Sequence, residues 1–119
     1  MKFTNWLPFG KVPEISASDL VKELDSWKIV DVRTVSEFEN GHIEGAVNLP
    51  ITAFTDENVL GLQLAKDKRV IAICRSAHRS IPAVRKLKAL GFNAYQLKGG
   101  MISWRDKGLP EKSNESEAG

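Results

Sequence analysis

Short apolar runs alternate with stretches of helical spacing along this chain of 119 residues. The clearest run is Val70-Ile71-Ala72-Ile73, whose continuous apolar character is typical of a strand buried on both faces of a sheet. Weaker patterns predict further strands at Glu14–Ile15, 28–32, 46–49 and 93–97. The chain is therefore predicted to contain five short strands.

Amphipathic stretches between these strands predict helices. The best-marked helix follows the 70–73 strand, where apolar residues recur at helical spacing up to the stop signal Gly91; they are Ala83, Val84, Leu87 and Leu90. Other helices are predicted from Ser16 or Ser18 to about residue 25, around residues 37–38, for roughly ten residues from Thr55 or Asp56, and after Gly99. Strands that alternate with helices through right-handed crossovers predict an α/β fold, a mostly parallel sheet with helices on both faces.

Composition narrows the class of protein. The length indicates one domain, predicted at 13–110, between an N-terminal leader at 1–12 and a polar tail at 111–119 that is expected to be disordered. A formal net charge of +2 is too small to indicate a nucleic acid or a membrane as partner. No apolar stretch has the length of a signal peptide core or a membrane span, so a cytoplasmic protein is expected.

The leader is more apolar than an ordinary terminal extension, since it contains Phe3, Trp6, Leu7 and Phe9. We expect these side chains to pack on the edge of the domain. Contact with a partner or a membrane surface is the alternative.

The single cysteine, Cys74, directly follows the 70–73 strand and opens the stretch Cys74-Arg75-Ser76-Ala77-His78-Arg79-Ser80. One cysteine excludes an intramolecular disulfide and a cysteine-rich metal site, and it fits a reducing compartment. A loop that leads from a strand into a helix directs its backbone N–H groups and the positive end of the helix towards one point. Together with the cationic neighbours this favours a thiolate, so Cys74 is predicted to be a nucleophile or a carrier of sulfur.

Polar residues near the end of the 28–32 strand lie at the same predicted sheet edge, because ligands in parallel sheets bind outside the carboxyl ends of the strands. Asp31 and Arg33 are expected to support the site by fixing neighbouring loops through buried hydrogen bonds. His42 is expected to hydrogen-bond the backbone of a turn and not to act as a general base. A metal site from His42, His78 and Cys74 matches no zinc spacing, so neither a metal nor a cofactor is expected.

Three motifs resemble those of single-domain rhodanese-like sulfurtransferases. The first is Asp31-Val32-Arg33 with Glu37-Phe38 and the sequence GHIEGAVNLP at 41–50, the second is ICRSAHRS at 73–80, and the third is Gly99-Gly100-Met101 with Trp104. In this order and near this spacing they cover residues 14 to about 110, and the combination is highly specific. Ala77 departs from the pattern, because many members have glycine there; if the position needs a positive φ, alanine adds strain.

The resemblance implies a five-stranded sheet and a cysteine that takes sulfur from a donor such as thiosulfate. Cys74 would hold this sulfur as a persulfide and pass it to cyanide or a thiol. The residues expected to bind the anionic donor and the persulfide are those of the loop: Arg75, Ser76, Ala77, His78, Arg79 and Ser80. Among them, Arg79 is expected to be the better placed arginine, His78 to face solvent, and Ser80 to cap the following helix. Trp104 is expected in the core or in the pocket wall.

Two other functions are compatible with these residues. One is a persulfide carrier or regulatory binding module that docks on a partner protein, such as a sulfur acceptor. The other is a cysteine phosphatase or arsenate reductase, although phosphatases of this fold have five residues between cysteine and arginine and this chain has four between Cys74 and Arg79. The shorter loop favours a sulfur atom over a tetrahedral phosphate ester.

Overall fold

A computed structural model describes residues 12–113. The strands in chain order are β1 (Glu14–Ile15), β2 (Trp27–Asp31), β3 (Val47–Asn48), β4 (Arg69–Ile73) and β5 (Ala94–Leu97). The α-helices are α1 (Ala17–Val21), α2 (Val35–Asn40), α3 (Asp56–Gly61), α4 (Ser80–Ala89) and α5 (Gly100–Asp106). Two 3₁₀ turns lie at Leu24–Ser26 and Ile51–Ala53.

The five strands form one parallel sheet in the order β1-β5-β4-β2-β3, which confirms the predicted α/β fold. β4 occupies the centre, in agreement with its continuous apolar run. Alternate residues of β4 enter two separate cores. Val70 and Ala72 pack beneath α4, whereas Ile71 and Ile73 pack beneath α1 and α5. Because side chains alternate along a strand, the residue that follows Ile73 points to the α4 side of the sheet.

The helices predicted from spacing exist, but two are shorter than predicted. α1 ends at Val21, and the chain continues as a 3₁₀ turn at Leu24–Ser26. α3 has six residues instead of roughly ten, because Leu62 ends it and Gln63 turns to a φ of 55°. Leu62 and Leu64 still pack against the core, so their apolar spacing indicated burial and not continued helix.

The ends of the chain were predicted from composition alone. The leader at 1–12 and the tail at 111–119 lie outside the described residues except for Val12 and 111–113. Val12 is buried in the core. Lys112 forms an isolated antiparallel bridge with His42, and Glu111 pairs with Arg105, contacts that the polar composition of this segment did not predict.

The helices between residues 12 and 113 include none with the length and apolar character that a membrane crossing requires.

Candidate active site

The end of β4 positions Cys74 at the carboxyl edge of the sheet, as predicted. Its side chain lies on the α4 side and is 1% exposed. The Sγ atom nevertheless has polar contacts, since it accepts a hydrogen bond from the Ala77 N–H at 2.9 Å and lies 3.5 Å from the Ser80 hydroxyl. The thiol therefore faces the inside of its own loop, where a peptide amide and a hydroxyl contact it.

Ala77 adopts a left-handed backbone conformation with a φ of 75°. Many members of the family have glycine at this position, and strain was expected for alanine if φ were positive. The conformation costs alanine about 1–2 kcal/mol. The same conformation turns the Ala77 N–H towards Sγ. The strain is therefore located at the residue whose amide contacts the sulfur.

Ser80 corrects one prediction, because it is not the cap of the helix. It is the first residue of α4, and Arg79 occupies the N-cap position without a side-chain hydrogen bond to the helix. The Ser80 side chain is fully buried and donates a hydrogen bond to Gln96 Oε1 at 2.6 Å. A buried acceptor on β5 thus uses the hydroxyl that capping would have used.

The glycine pair of the third motif holds the loop from the opposite side of the sheet. Backbone amides in the first turn of α5 donate hydrogen bonds to the loop. The Met101 N–H donates to Cys74 O at 2.9 Å, and the Ile102 N–H donates to Arg75 O at 3.0 Å. Gly100 makes this approach possible, because a Cβ there would lie 2.5 Å from the carbonyl oxygens of both Cys74 and Arg75. Helix α5 therefore fixes the backbone on which the cysteine stands.

Arg79 is held by a partner that sequence reasoning missed. Its guanidinium forms a two-pronged ion pair with Glu37, with N–O distances of 2.8 and 3.0 Å. Glu37 also closes a capping box with Thr34 at the start of α2. The hydrogen bond from Arg79 lowers the pKa of Glu37 to about 2, and the same contact raises the pKa of Arg79. The pair ties α2 to the cysteine loop and leaves Arg79 with further N–H donors.

Asp31 and Arg33 lie where the sequence predicted, in buried hydrogen bonds at the end of β2. Both oxygens of Asp31 accept from the Arg33 side chain, and Arg33 also donates to Gly41 O at 2.7 Å. Asn48 of β3 donates to the carbonyl oxygens of both residues. This buried ion pair orders the loop between β2 and β3, and its described contacts are with that loop and not with Cys74.

The remaining predicted residues lie partly on the surface and partly in the core. Arg75 and His78 are exposed, and the Ser76 hydroxyl lies 3.0 Å from Nδ1 of His78. His42 is buried, stacks on Phe38 and contacts Phe38 O through Nδ1 at 2.7 Å, which is the backbone role expected for it. Trp104 is fully buried in the core beneath α5.

Gln96 carried no signal in the sequence that would assign it to the site, and the signal for Glu37 did not reveal its partner. Gln96 lies within an apolar strand and is 4% exposed, and its amide nitrogen donates to Glu14 at 2.8 Å. The thiol of Cys74 is thereby connected through Ser80 and Gln96 to an exposed carboxylate on the edge strand β1. The Thr34-x-x-Glu37 capping box could have identified Glu37 as a helix-start residue, but not as the partner of Arg79.

Comparison with known proteins places this arrangement in a family context. A family model described as Rhodanese-like domain matches residues 16–107. A protein named Sulfurtransferase from Allochromatium vinosum is 32% identical over 102 residues, which is 85% of this chain and 92% of that protein. A crystal structure of a rhodanese-related protein from Thermoplasma volcanium matches with a TM-score of 0.76 and 32% identity, over 84% of this chain and 97% of the other.

Some relatives are much longer than the matched region. The HTH-type transcriptional regulator Rv0324 of Mycobacterium tuberculosis is 34% identical over 100 residues, which cover 81% of this chain and 43% of the regulator. The chain spans less than half the length of several curated relatives that it matches. Domains of this kind thus occur both nearly alone and as parts of longer proteins.

Proposed function

The chain belongs to the rhodanese-like family, and on that premise we propose that it is a sulfurtransferase that carries sulfur as a persulfide on Cys74. The observation that carries the proposal is the hydrogen bond from the Ala77 N–H to the Cys74 Sγ, within the loop that leads into helix α4. An amide donor and a helix N-terminus both stabilise negative charge on sulfur.

The first half-reaction loads the cysteine. The thiolate of Cys74 attacks the outer sulfur of a donor such as thiosulfate, and the sulfur–sulfur bond of the donor breaks. Sulfite leaves with the electron pair of that bond, and Cys74 becomes a persulfide whose terminal sulfur carries the negative charge. We propose that the Ala77 N–H and the amides that follow it in the loop stabilise this charge in the manner of an oxyanion hole.

The second half-reaction unloads the cysteine. Cyanide or a thiolate attacks the terminal sulfur, the persulfide bond breaks, and the thiolate of Cys74 is regenerated as the leaving group. Sulfur moves without net oxidation or reduction, so neither a metal nor a redox cofactor takes part in the scheme. Arg75 and Arg79 contribute positive charge at the rim for an anionic donor.

Mass spectrometry of the intact protein tests this proposal. Thiosulfate should add the mass of one sulfur atom, and cyanide should remove it. Cys74→Ser should lose the adduct and all transfer activity with nearly unchanged stability, because serine also accepts the Ala77 N–H. A folded wild-type protein that keeps its mass with thiosulfate and with a panel of other sulfane donors would contradict the proposal. A phosphatase assay on the same sample tests the alternative chemistry.

A further inference from the structure

A line of hydrogen bonds connects the buried thiol of Cys74 to the exposed edge of the sheet. Sγ lies 3.5 Å from Ser80 Oγ, Ser80 donates to Gln96 Oε1 at 2.6 Å, and Gln96 Nε2 donates to Glu14 Oε2 at 2.8 Å. The line crosses from β4 through α4 and β5 to β1, where Glu14 and Gln96 are register partners. Ser80 and Gln96 are buried, whereas Glu14 is exposed.

The direction of every bond in this line follows from its outer end. An ionised carboxylate only accepts hydrogen bonds, so Glu14 fixes the Gln96 amide with its nitrogen outwards and its oxygen towards Ser80. The Ser80 hydroxyl has one hydrogen, and it uses this hydrogen to donate a hydrogen bond to Gln96 Oε1. Only the lone pairs of the Ser80 oxygen then face Cys74. They can accept a hydrogen bond from an S–H group, but they cannot donate one to a thiolate.

We propose that Glu14 and Gln96 act as positioning residues that set the orientation of the Ser80 hydroxyl and thereby restrain the reactivity of Cys74. Ser80 can donate a hydrogen bond to a thiolate only if its hydroxyl turns from Gln96 to Sγ, which leaves the buried oxygen of Gln96 without its donor. The line is thus a restraint on the reactivity of the cysteine, applied from the opposite edge of β5.

The meaning of this restraint for sulfur transfer rests on the proposed function. A persulfide has no proton on Sγ to give to Ser80, so the same orientation favours the unloaded thiol over the loaded form. Because loading starts from the thiolate of Cys74 and discharge releases it, we expect the restraint to slow both half-reactions. The restraint on the thiol itself does not depend on the identity of the sulfur donor.

Alkylation kinetics test the inference, because Cys74 is the only cysteine and every adduct reports on it. Gln96→Leu removes the acceptor of Ser80 and frees its proton for Sγ. We expect the alkylation rate of Cys74 with iodoacetamide at neutral pH to rise about three- to tenfold, which corresponds to the net free energy of one hydrogen bond. The thiolate absorbance, measured relative to Cys74→Ser, should rise by the same factor. In a Ser80→Ala background the same substitution should have no effect. An equal rise in that background would mean simple repacking and would overturn the inference.

A surface variant tests the direction of the line without disturbing the core. Glu14→Lys replaces an acceptor by a donor, which should turn the Gln96 amide, reverse both inner hydrogen bonds and raise reactivity as Gln96→Leu does. Asp19→Lys makes the same change of charge at an exposed position of α1 and is the matched control; high salt screens what both variants contribute through space. Equal effects of the two variants, or no effect of Glu14→Lys, would also overturn the inference.

The two proposals fail separately. If the thiosulfate adduct is absent but the alkylation pattern is as expected, only the proposed sulfur transfer from thiosulfate is contradicted. If the adduct forms but the alkylation rates do not change with Gln96 and Glu14, only the positioning roles are contradicted.

Discussion

Replacing Ala77 by glycine should stabilise the protein and leave the contact to Cys74 in place. Ala77 has a φ of 75°, a conformation that costs alanine about 1–2 kcal/mol. Glycine removes this cost, but its greater freedom in the unfolded chain takes back about 0.4–1 kcal/mol. We expect a net increase in the free energy of unfolding of about 0.5–1 kcal/mol. The donor to Sγ is a backbone N–H, so the substitution does not remove it.

Urea denaturation, followed by the fluorescence of buried Trp27 and Trp104, measures this change. The thermal midpoint should rise by about 2–6 °C for a domain of this size. The alkylation rate of Cys74 should stay unchanged, since the loop keeps its geometry.

Gln63 provides a matched control for this experiment. It is the other non-glycine residue with a positive φ between residues 12 and 113, at 55°, and it lies in the turn after α3. Gln63→Gly should yield a similar gain in stability. A loss of stability for Ala77→Gly together with a gain for Gln63→Gly would refute the argument that the cysteine loop holds Ala77 under strain.

Two further substitutions test contacts around the loop. Gly100→Ala should destabilise the protein by more than about 2 kcal/mol in urea denaturation, because its Cβ would meet two carbonyl oxygens of the loop. Gly108→Ala, with a φ of 66° and open space around it, is the control, and an equal loss there would contradict the steric reason. Glu37→Gln should lower the free energy of unfolding by roughly 1 kcal/mol at neutral pH, because the ion pair with Arg79 is one-third exposed and partly screened. The pKa of Glu37 is lowered from 4.5 to about 2 in the folded protein, so wild type keeps its advantage above pH 4.5 and loses it as the pH falls towards 2; a difference that stays constant on acidification would count against the pair.

The parts of this molecule that were predictable from sequence are those that local chemistry determines. The apolar run at 70–73 indicated a buried strand. The polar stretch that leads from it into the next helix indicated where Cys74 would lie. Asp31 and Arg33 were predictable as buried hydrogen-bonding residues because both lie at the end of a predicted strand, and the structure adds that they pair with each other. In each case the interacting groups are close in sequence or at the ends of predicted elements.

The partners that were not predictable are separated widely in sequence. Glu37 and Arg79 are 42 residues apart, and Gln96 and Glu14 are 82 residues apart. Each pair depends on strand order in the sheet, which no local pattern specifies. Ser80 illustrates the consequence, because a serine at a helix start is expected to cap the helix. Gln96, which β5 places beside it, accepts the hydrogen bond of its hydroxyl instead.

Support from both sides of the sheet explains how the loop can tolerate a strained residue. On one side, α4 begins within the loop and Ser80 is anchored to Gln96. On the other side, the amides of α5 hold the carbonyl groups of Cys74 and Arg75. Strained backbone persists only where the surrounding contacts over-determine it. Removing the α5 contacts should therefore let Ala77 relax to negative φ and withdraw its N–H from Sγ. Gly100→Ala should then also lower the amount of Cys74 persulfide that thiosulfate forms, as measured by mass spectrometry, whereas Gly108→Ala should not.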